Sequence, residues 1–175
     1  MIDASFMYSV SGVVKMDNPL PSTLKNIDSM FYCCKLKEID WKIFDNVTID
    51  SAKNTFTGCN KLVSIKGEIN HIKDGTGLLS SCGFTVMPKF AADNILEIAD
   101  RMFGTGTGEY KKLESYGGNT LPNSVKSMKY CFAYTDVTEV LPVPSGITDK
   151  NAFKGCYRNC TKLTDVSNMI DFIST

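Results

Sequence analysis

Seven cysteines and one histidine are the residues best suited to chemistry in this chain of 175 residues. A thiol paired with an imidazole could act as a nucleophile, but only if the cysteine is exposed in an electropositive setting. His71, the only histidine, sits in GEINHIKDG one residue before Ile72, where it is expected to face solvent as a bystander. A disulfide framework or a zinc site would be another use for so many cysteines. Cys33 and Cys34 are adjacent, and Cys156-x-x-x-Cys160 has no second pair of zinc-finger type, so reduced structural thiols are the better reading. Dispersed cysteines, one histidine and no clustered carboxylates supply no tetrahedral or octahedral ligand set, and neither metal nor cofactor is expected.

Two glycine-rich stretches invite comparison with phosphate-binding loops: Gly104-Thr-Gly106-Thr-Gly108 and Asp74-Gly75-Thr76-Gly77. The first lacks the GxGxxG or GxxxxGK(S/T) order and follows a helical pattern instead of opening one after a strand. The second is isolated, with no partner motif elsewhere, and both read as loops. Asn46-Val-Thr48 and Asn159-Cys-Thr161 match a glycosylation sequon, a pattern short enough to recur by chance.

Nineteen basic residues balance nineteen acidic ones, so no net field favours nucleic acid or an anionic membrane. A hydrophobic share of 43% and a charged share of 22% are those of a folded soluble domain. No apolar run approaches the roughly 20 residues that span a bilayer, so membrane insertion is not expected. The first residues, MIDASFMYSVSGVVKMDN, lack the charged start and apolar core of a signal peptide.

What must position any functional residue is a repeat. Leu121–Val140 (LPNSVKSMKYCFAYTDVTEV) aligns without a gap on Leu20–Ile39 (LPSTLKNIDSMFYCCKLKEI), with apolar positions matched and the polar ones mostly different. Anchoring on the aromatic gives seven units at Phe6, Phe31, Phe56, Leu79, Phe103, Phe132 and Phe153, in steps of 25, 25, 23, 24, 29 and 21 residues. A second apolar column holds Leu36, Leu62, Leu113, Val137 and Leu163. Cys34, Cys59, Cys82 and Cys156 fall on one repeat position and Cys131 on another. Insertions are expected after Phe103 (GTGTGEYKK) and after Cys156 (YRNCTK).

Upstream of each aromatic, apolar residues recur as in Leu24-x-x-Ile27-x-x-Met30-Phe31. That spacing fits one face of a short helix, or a short strand running into a tight turn, and eight residues of periodicity do not decide between them. Ala91–Phe103 (AADNILEIADRMF) is the best helix candidate, with Asp93 as N-cap. KLKEI, KLVSI, KLESY and VTEVLPV read as strands. The fold class expected is an α+β repeat solenoid over residues 1–175, about seven units of 21–29 residues, each a short strand plus a short helix or turn. Residues 1–19 form an irregular cap, 20–166 the repeats, and 167–175 a second cap or a truncation.

These units resemble BspA-type bacterial leucine-rich repeats, whose pattern runs Leu-Pro-x-x-Val-x-x-Met/Ile-x-x-x-Phe-x-x-Cys-x-x-Leu-x-x-Ile. Leu20-Pro21, Phe31, Cys34, Leu36 and Ile39 carry it, as do Phe56, Cys59, Leu62 and Ile65, over about residues 20–166. The step lengths also lie in the range of about 20–29 for leucine-rich repeats. The resemblance implies a non-catalytic module from surface adhesins, secreted proteins or phage fibres, located outside the cell, on its surface or on a virion. Expected partners are a protein or glycan on a cell surface; alternatively the repeats contact sister subunits as a structural scaffold. Candidate contacts are Glu114 and Glu139 on the strand face, and Tyr110, Tyr157 and Arg158 on the insertions.

Overall fold

Each unit of the chain crosses two parallel ladders and turns tightly between them. The computed structural model describes residues 2–105 and 112–169. Six short strands are present: β1 (Ile2–Asp3), β2 (Leu24–Asn26), β3 (Glu38–Asp40), β4 (Ile49–Ser51), β5 (Ser64–Lys66) and β6 (Ile72–Asp74). The first ladder has the order β1-β2-β4-β6, and bridges Asp74–Ile98 and Ile98–Ser127 carry it further along the chain. The second pairs β3 with β5 and returns as the bridges Val86–Ser115 and Glu139–Asp165. Short 3-10 turns occupy Trp41–Phe44 and Lys150–Phe153, each capped by an aspartate, Asp40 or Asp149. This is a leucine-rich-repeat-like architecture of parallel strands and short turns.

The segment leading into each aromatic is therefore a strand and a run of turns, the second of the two conformations its spacing allowed. Met30, Tyr32 and Cys34 donate their N–H groups to the carbonyls of Ile27, Ser29 and Phe31, three residues back, at 3.0–3.1 Å. The residues between them, Ile27, Ser29, Phe31 and Cys33, donate instead to Ser51, Lys53, Thr55 and Thr57 of the next unit, at 2.8–3.0 Å. Three-residue closures place apolar side chains at the same spacing as a helical face. That is why Ala91–Phe103 imitated a helix. It contains none: Met102 N–H closes on Ala99, while Ala99, Arg101 and Phe103 reach across to Ser127, Lys129 and Cys131. Asp93 accordingly caps nothing helical and lies in a turn.

The turns take left-handed backbone two residues before each inward aromatic or Leu79 and, except after Phe103, two residues after it. Ser29 and Cys33 bracket Phe31, Asn54 and Gly58 bracket Phe56, Gly77 and Ser81 bracket Leu79, and Tyr130 and Tyr134 bracket Phe132. At the two ends the bracketing pairs are Phe6 with Val10, and Gly155 with Asn159. These pairs centre the outer units on Tyr8 and Tyr157, not on Phe6 and Phe153. Phe6 is 65% exposed, and Phe153 ends the last 3-10 turn, half-buried. Hydrogen bonds agree, since Tyr8 N–H meets Met30 and Phe132 N–H meets Cys156, each the residue before the partner aromatic. With this register the last unit reads Tyr157-x-x-Cys160-x-x-Leu163-x-x-Val166, the same as Phe56-x-x-Cys59-x-x-Leu62-x-x-Ile65, and no insertion follows Cys156.

The aromatics stack along the axis. Tyr8, Phe31 and Phe56 form one run with centroids 5.6 and 5.5 Å apart, and Phe103, Phe132 and Tyr157 a second with both spacings 5.5 Å. Leu79, 2% exposed, stands between the runs. Leu36, Leu62, Leu113 and Val137 are buried as expected, while Leu163 is half-buried near the end.

All seven cysteines are free thiols, six of them buried and Cys33 exposed. The corrected register puts Cys160, not Cys156, in the column with Cys34, Cys59 and Cys82; Cys156 joins Cys131 one residue before the aromatic. Each column thiol donates to the carbonyl of the preceding unit's aromatic: Tyr8, Phe31, Phe56 and Phe132, at 3.0–3.1 Å. Thr135 fills the same column but donates its hydroxyl to the carbonyl of its own unit's aromatic, Phe132, at 2.7 Å. The position selects a small buried donor. Burial pushes the Cys59 thiol up to about 12, and drives Cys82, Cys131 and Cys156 well above the ordinary value of 9.0.

Phe132→Ala and Tyr157→Ala should each cost about 3–5 kcal/mol in urea unfolding, as large-to-small core changes do. Lys129→Ala should stay within about 0.5 kcal/mol of neutral; a near-neutral Tyr157→Ala would refute the register. The thiols give a second test. Their folded-state pKa values are raised, so the unfolded chain releases these protons first and stability falls as pH climbs from 9 towards 12. Cys59→Ala should flatten that slope by about 1.4 kcal/mol per pH unit relative to the unmodified chain. Below pH 9 the slopes should coincide, and a thiol reagent should label Cys33 alone until the protein unfolds.

Candidate recognition surface

The stacked register turns positions within a unit into rows along the solenoid. Two residues before the aromatic lies the row Ser29, Asn54, Gly77, Arg101, Tyr130 and Gly155. One residue after it come Tyr32, Thr57, Ser80, Gly104, Ala133 and Arg158, and two after it Cys33, Gly58, Ser81, Thr105, Tyr134 and Asn159. These rows form the outer side of the turns, with the buried aromatic and its preceding residue on the inner side.

In the later units the rows build a cleft of about 300 Å³. Small residues of the middle row, Ser80, Gly104 and Ala133, line it together with Arg101 and Tyr130 from one side row and Thr105 and Tyr134 from the other; Arg158, next in the middle row, completes it. Gly104 is there because the chains approach closely: a Cβ would stand 2.9 Å from the Tyr130 carbonyl oxygen. Ser80 donates its hydroxyl to the Gly104 carbonyl and Thr105 to the Tyr134 carbonyl, at 3.1 Å for the latter, which fixes the cleft backbone. The Arg101 guanidinium lies 5.2 Å from the centre of the Tyr130 ring, a cation–π contact. Tyr130 in turn lies over Gly155, where a Cβ would collide with the ring.

Three of these residues are in an unfavourable backbone state. Arg101, Tyr130 and Tyr134 have φ of 55°, 56° and 64°. Left-handed backbone costs an ordinary side chain roughly 1–2 kcal/mol and glycine little. Elsewhere the same positions hold Gly58, Gly77, Gly155, Asn54 and Asn159, the residue types that tolerate it, together with Ser29, Cys33 and Ser81 and, in the first unit, Phe6 and Val10. Large side chains at these positions are not what the turn asks for.

The candidate contacts drawn from sequence separate. Arg158 is exposed on the cleft. Tyr157 is in the aromatic stack rather than on a loop: its ring covers Phe132, its hydroxyl accepts the Leu141 N–H at 3.0 Å and donates to Tyr116, and Tyr116 donates to the Glu139 carbonyl at 2.8 Å. Burial drives both phenols far up from their ordinary value, so they serve as neutral hydrogen-bonding groups. Glu114 and Glu139 are exposed on the second ladder, apart from the cleft. Tyr110, Gly106 and Gly108 lie outside the described residues. Arg101 and Tyr130 share a row in either register but escaped sequence reasoning because Arg101 stood in an expected helix; centring the last unit on Tyr157 adds Arg158 to the row beside them. One signal was available: Arg101 and Arg158 are the only arginines in the chain.

The other motifs are structural. Asp74 accepts from the N–H and hydroxyl of Thr76 at 3.0 and 2.6 Å, the same strand-end turn that Asn26 makes with Asp28. His71 is half-buried, and its carbonyl accepts the Ile49 N–H. Among the described residues no group of three or more His, Cys, Asp or Glu could hold a metal ion, and no helix is long and apolar enough to cross a membrane.

A model of the BspA type leucine rich repeat region, present in six copies, matches residues 6–108 and 28–160. Comparison with curated proteins and with solved structures gives no match. The matched stretches cover most of both ladders and all of the cleft, in a non-catalytic module of a class that mediates binding to proteins or surfaces. The chain belongs to the BspA-type leucine-rich repeat family.

Proposed function

We propose that this module recognises a protein or glycan on a cell surface through the outer side of its turns, as part of a phage fibre, a virion surface protein or a bacterial surface protein. Residues 1–175 act as one solenoid in this reading. The observation that carries it is the cleft at Arg101, Tyr130, Tyr134 and Arg158, the first three of them large side chains at left-handed positions that glycine or asparagine fills more cheaply. Glu114 and Glu139 on the second ladder, with Tyr110, extend the contact set.

A second reading, a structural subunit docking on sister subunits, draws on the first unit. Ile2, Phe6, Met7, Val10 and Val14 are all exposed there, beside the outer edge of β1. Pull-down of the purified protein on intact bacterial cells separates the two. Saturable binding, reduced at least tenfold in an Arg101→Ser/Arg158→Ser double variant of unchanged stability, supports recognition. Absence of cell binding together with self-association that Phe6→Ser/Val10→Ser abolishes transfers the assignment to the structural subunit.

A further inference from the structure

The cleft has a chemical character that narrows its ligand. Both arginines of the chain line it, and among the described residues neither guanidinium is in an ion pair. Among the described residues no carboxylate lines it either. Two unpaired guanidiniums on a chain of balanced charge form a local site for an anion, and the planar fork suits a carboxylate bidentately. Arg101 is already oriented by the Tyr130 ring, which reduces the freedom lost on binding.

The remaining lining chooses among anions. Tyr134 offers a ring and a hydroxyl and Tyr130, whose ring already meets Arg101 and Gly155, a hydroxyl; the Ser80 and Thr105 hydroxyls, which donate to backbone carbonyls, keep lone pairs to accept with. Among the described residues no Leu, Ile, Val, Met or Phe lines the cleft, and those that do line it build no apolar pocket of the kind that buries a protein hot-spot residue. At about 300 Å³ it is at the lower end of small-ligand sites, a size for one ring and not an extended peptide. Resting on the recognition reading above, we infer that this cleft binds a carboxylate-bearing sugar residue, its carboxylate held by Arg101 and Arg158 and its ring against Tyr134.

The test is calorimetric titration of the full chain with methyl β-glucuronide, methyl β-glucoside, acetate and inorganic sulfate. The glucuronide should bind saturably, with glucoside and acetate at least tenfold weaker, since one lacks the charge and the other the ring. Arg101→Gln and Arg158→Gln should each lose tenfold or more. Tyr134→Gly should lose affinity without a lower thermal midpoint, because glycine is at ease at a φ of 64°. Glucuronide binding no tighter than glucoside would overturn the assignment, as would sulfate binding equally well, which marks a general anion site. Cell binding that is abolished by protease treatment of the cells and not competed by glucuronide would overturn it in favour of a protein ligand. In that case recognition itself stands, whereas failure to bind both glucuronide and cells removes both.

Discussion

Between Ile27 and Cys34 successive N–H groups alternate between two uses, one closing a turn within the unit and the next reaching a carbonyl in the following unit. Buried backbone groups must be paired, and this alternation pairs them in a segment too sharply turned for ordinary strand or helix. Everything else adjusts to it. Two positions per unit, one in that of Phe103, are forced into left-handed backbone, the aromatic between them points inward, and the residue three after it sits over the preceding aromatic's carbonyl. Cysteine is small enough for that buried place and still carries a proton to donate; threonine stands there at position 135 and turns its hydroxyl to its own unit's Phe132 carbonyl. Asp28 and Asp100 add a side-chain version of the same link, each accepting from a serine and an N–H one unit on.

The repeat was legible because each burial position carries a residue type that stacking enforces: phenylalanine at 31, 56, 103 and 132, and cysteine at 34, 59 and 82. Local conformation was less legible. A pattern of apolar residues three apart reports turn closures as well as it reports a helix, and only the cross-unit hydrogen bonds distinguish them. The register failed at both ends for a single physical reason. Tyr8 and Tyr157 do the work of phenylalanine there, and a nearby Phe6 or Phe153 drew the alignment away. At Tyr157 the hydroxyl has its own employment, joined to Leu141 and Tyr116, so tyrosine is required in a place that otherwise takes an apolar ring.

That register error had a direct effect on the candidate site. It placed Tyr157 outside and hid the relation of Arg158 to Arg101, Tyr130 and Tyr134, residues separated by up to 57 positions in sequence that share one cleft. In a solenoid a functional surface is assembled from one or two residues per unit, so it is visible in sequence only after the rows are correctly aligned. Arg158 was found because it stood in a supposed insertion. Arg101 was overlooked because it stood in a supposed helix.

The interruption of the aromatic column at Leu79 bears on how the molecule would yield under load. In a linear array each unit is held only by its two neighbours, so a pull along the axis is transmitted through every join in series. Ring contacts secure most of these joins, but among the described residues none crosses from Phe56 to Phe103 through the unit of Leu79. Trp41 and Phe44 gather on one side of the gap and Phe90 on the other, each thickening its own half. At that unit the load passes through backbone hydrogen bonds and aliphatic packing at Leu79 without ring contacts, and the cleft lies mainly beyond it.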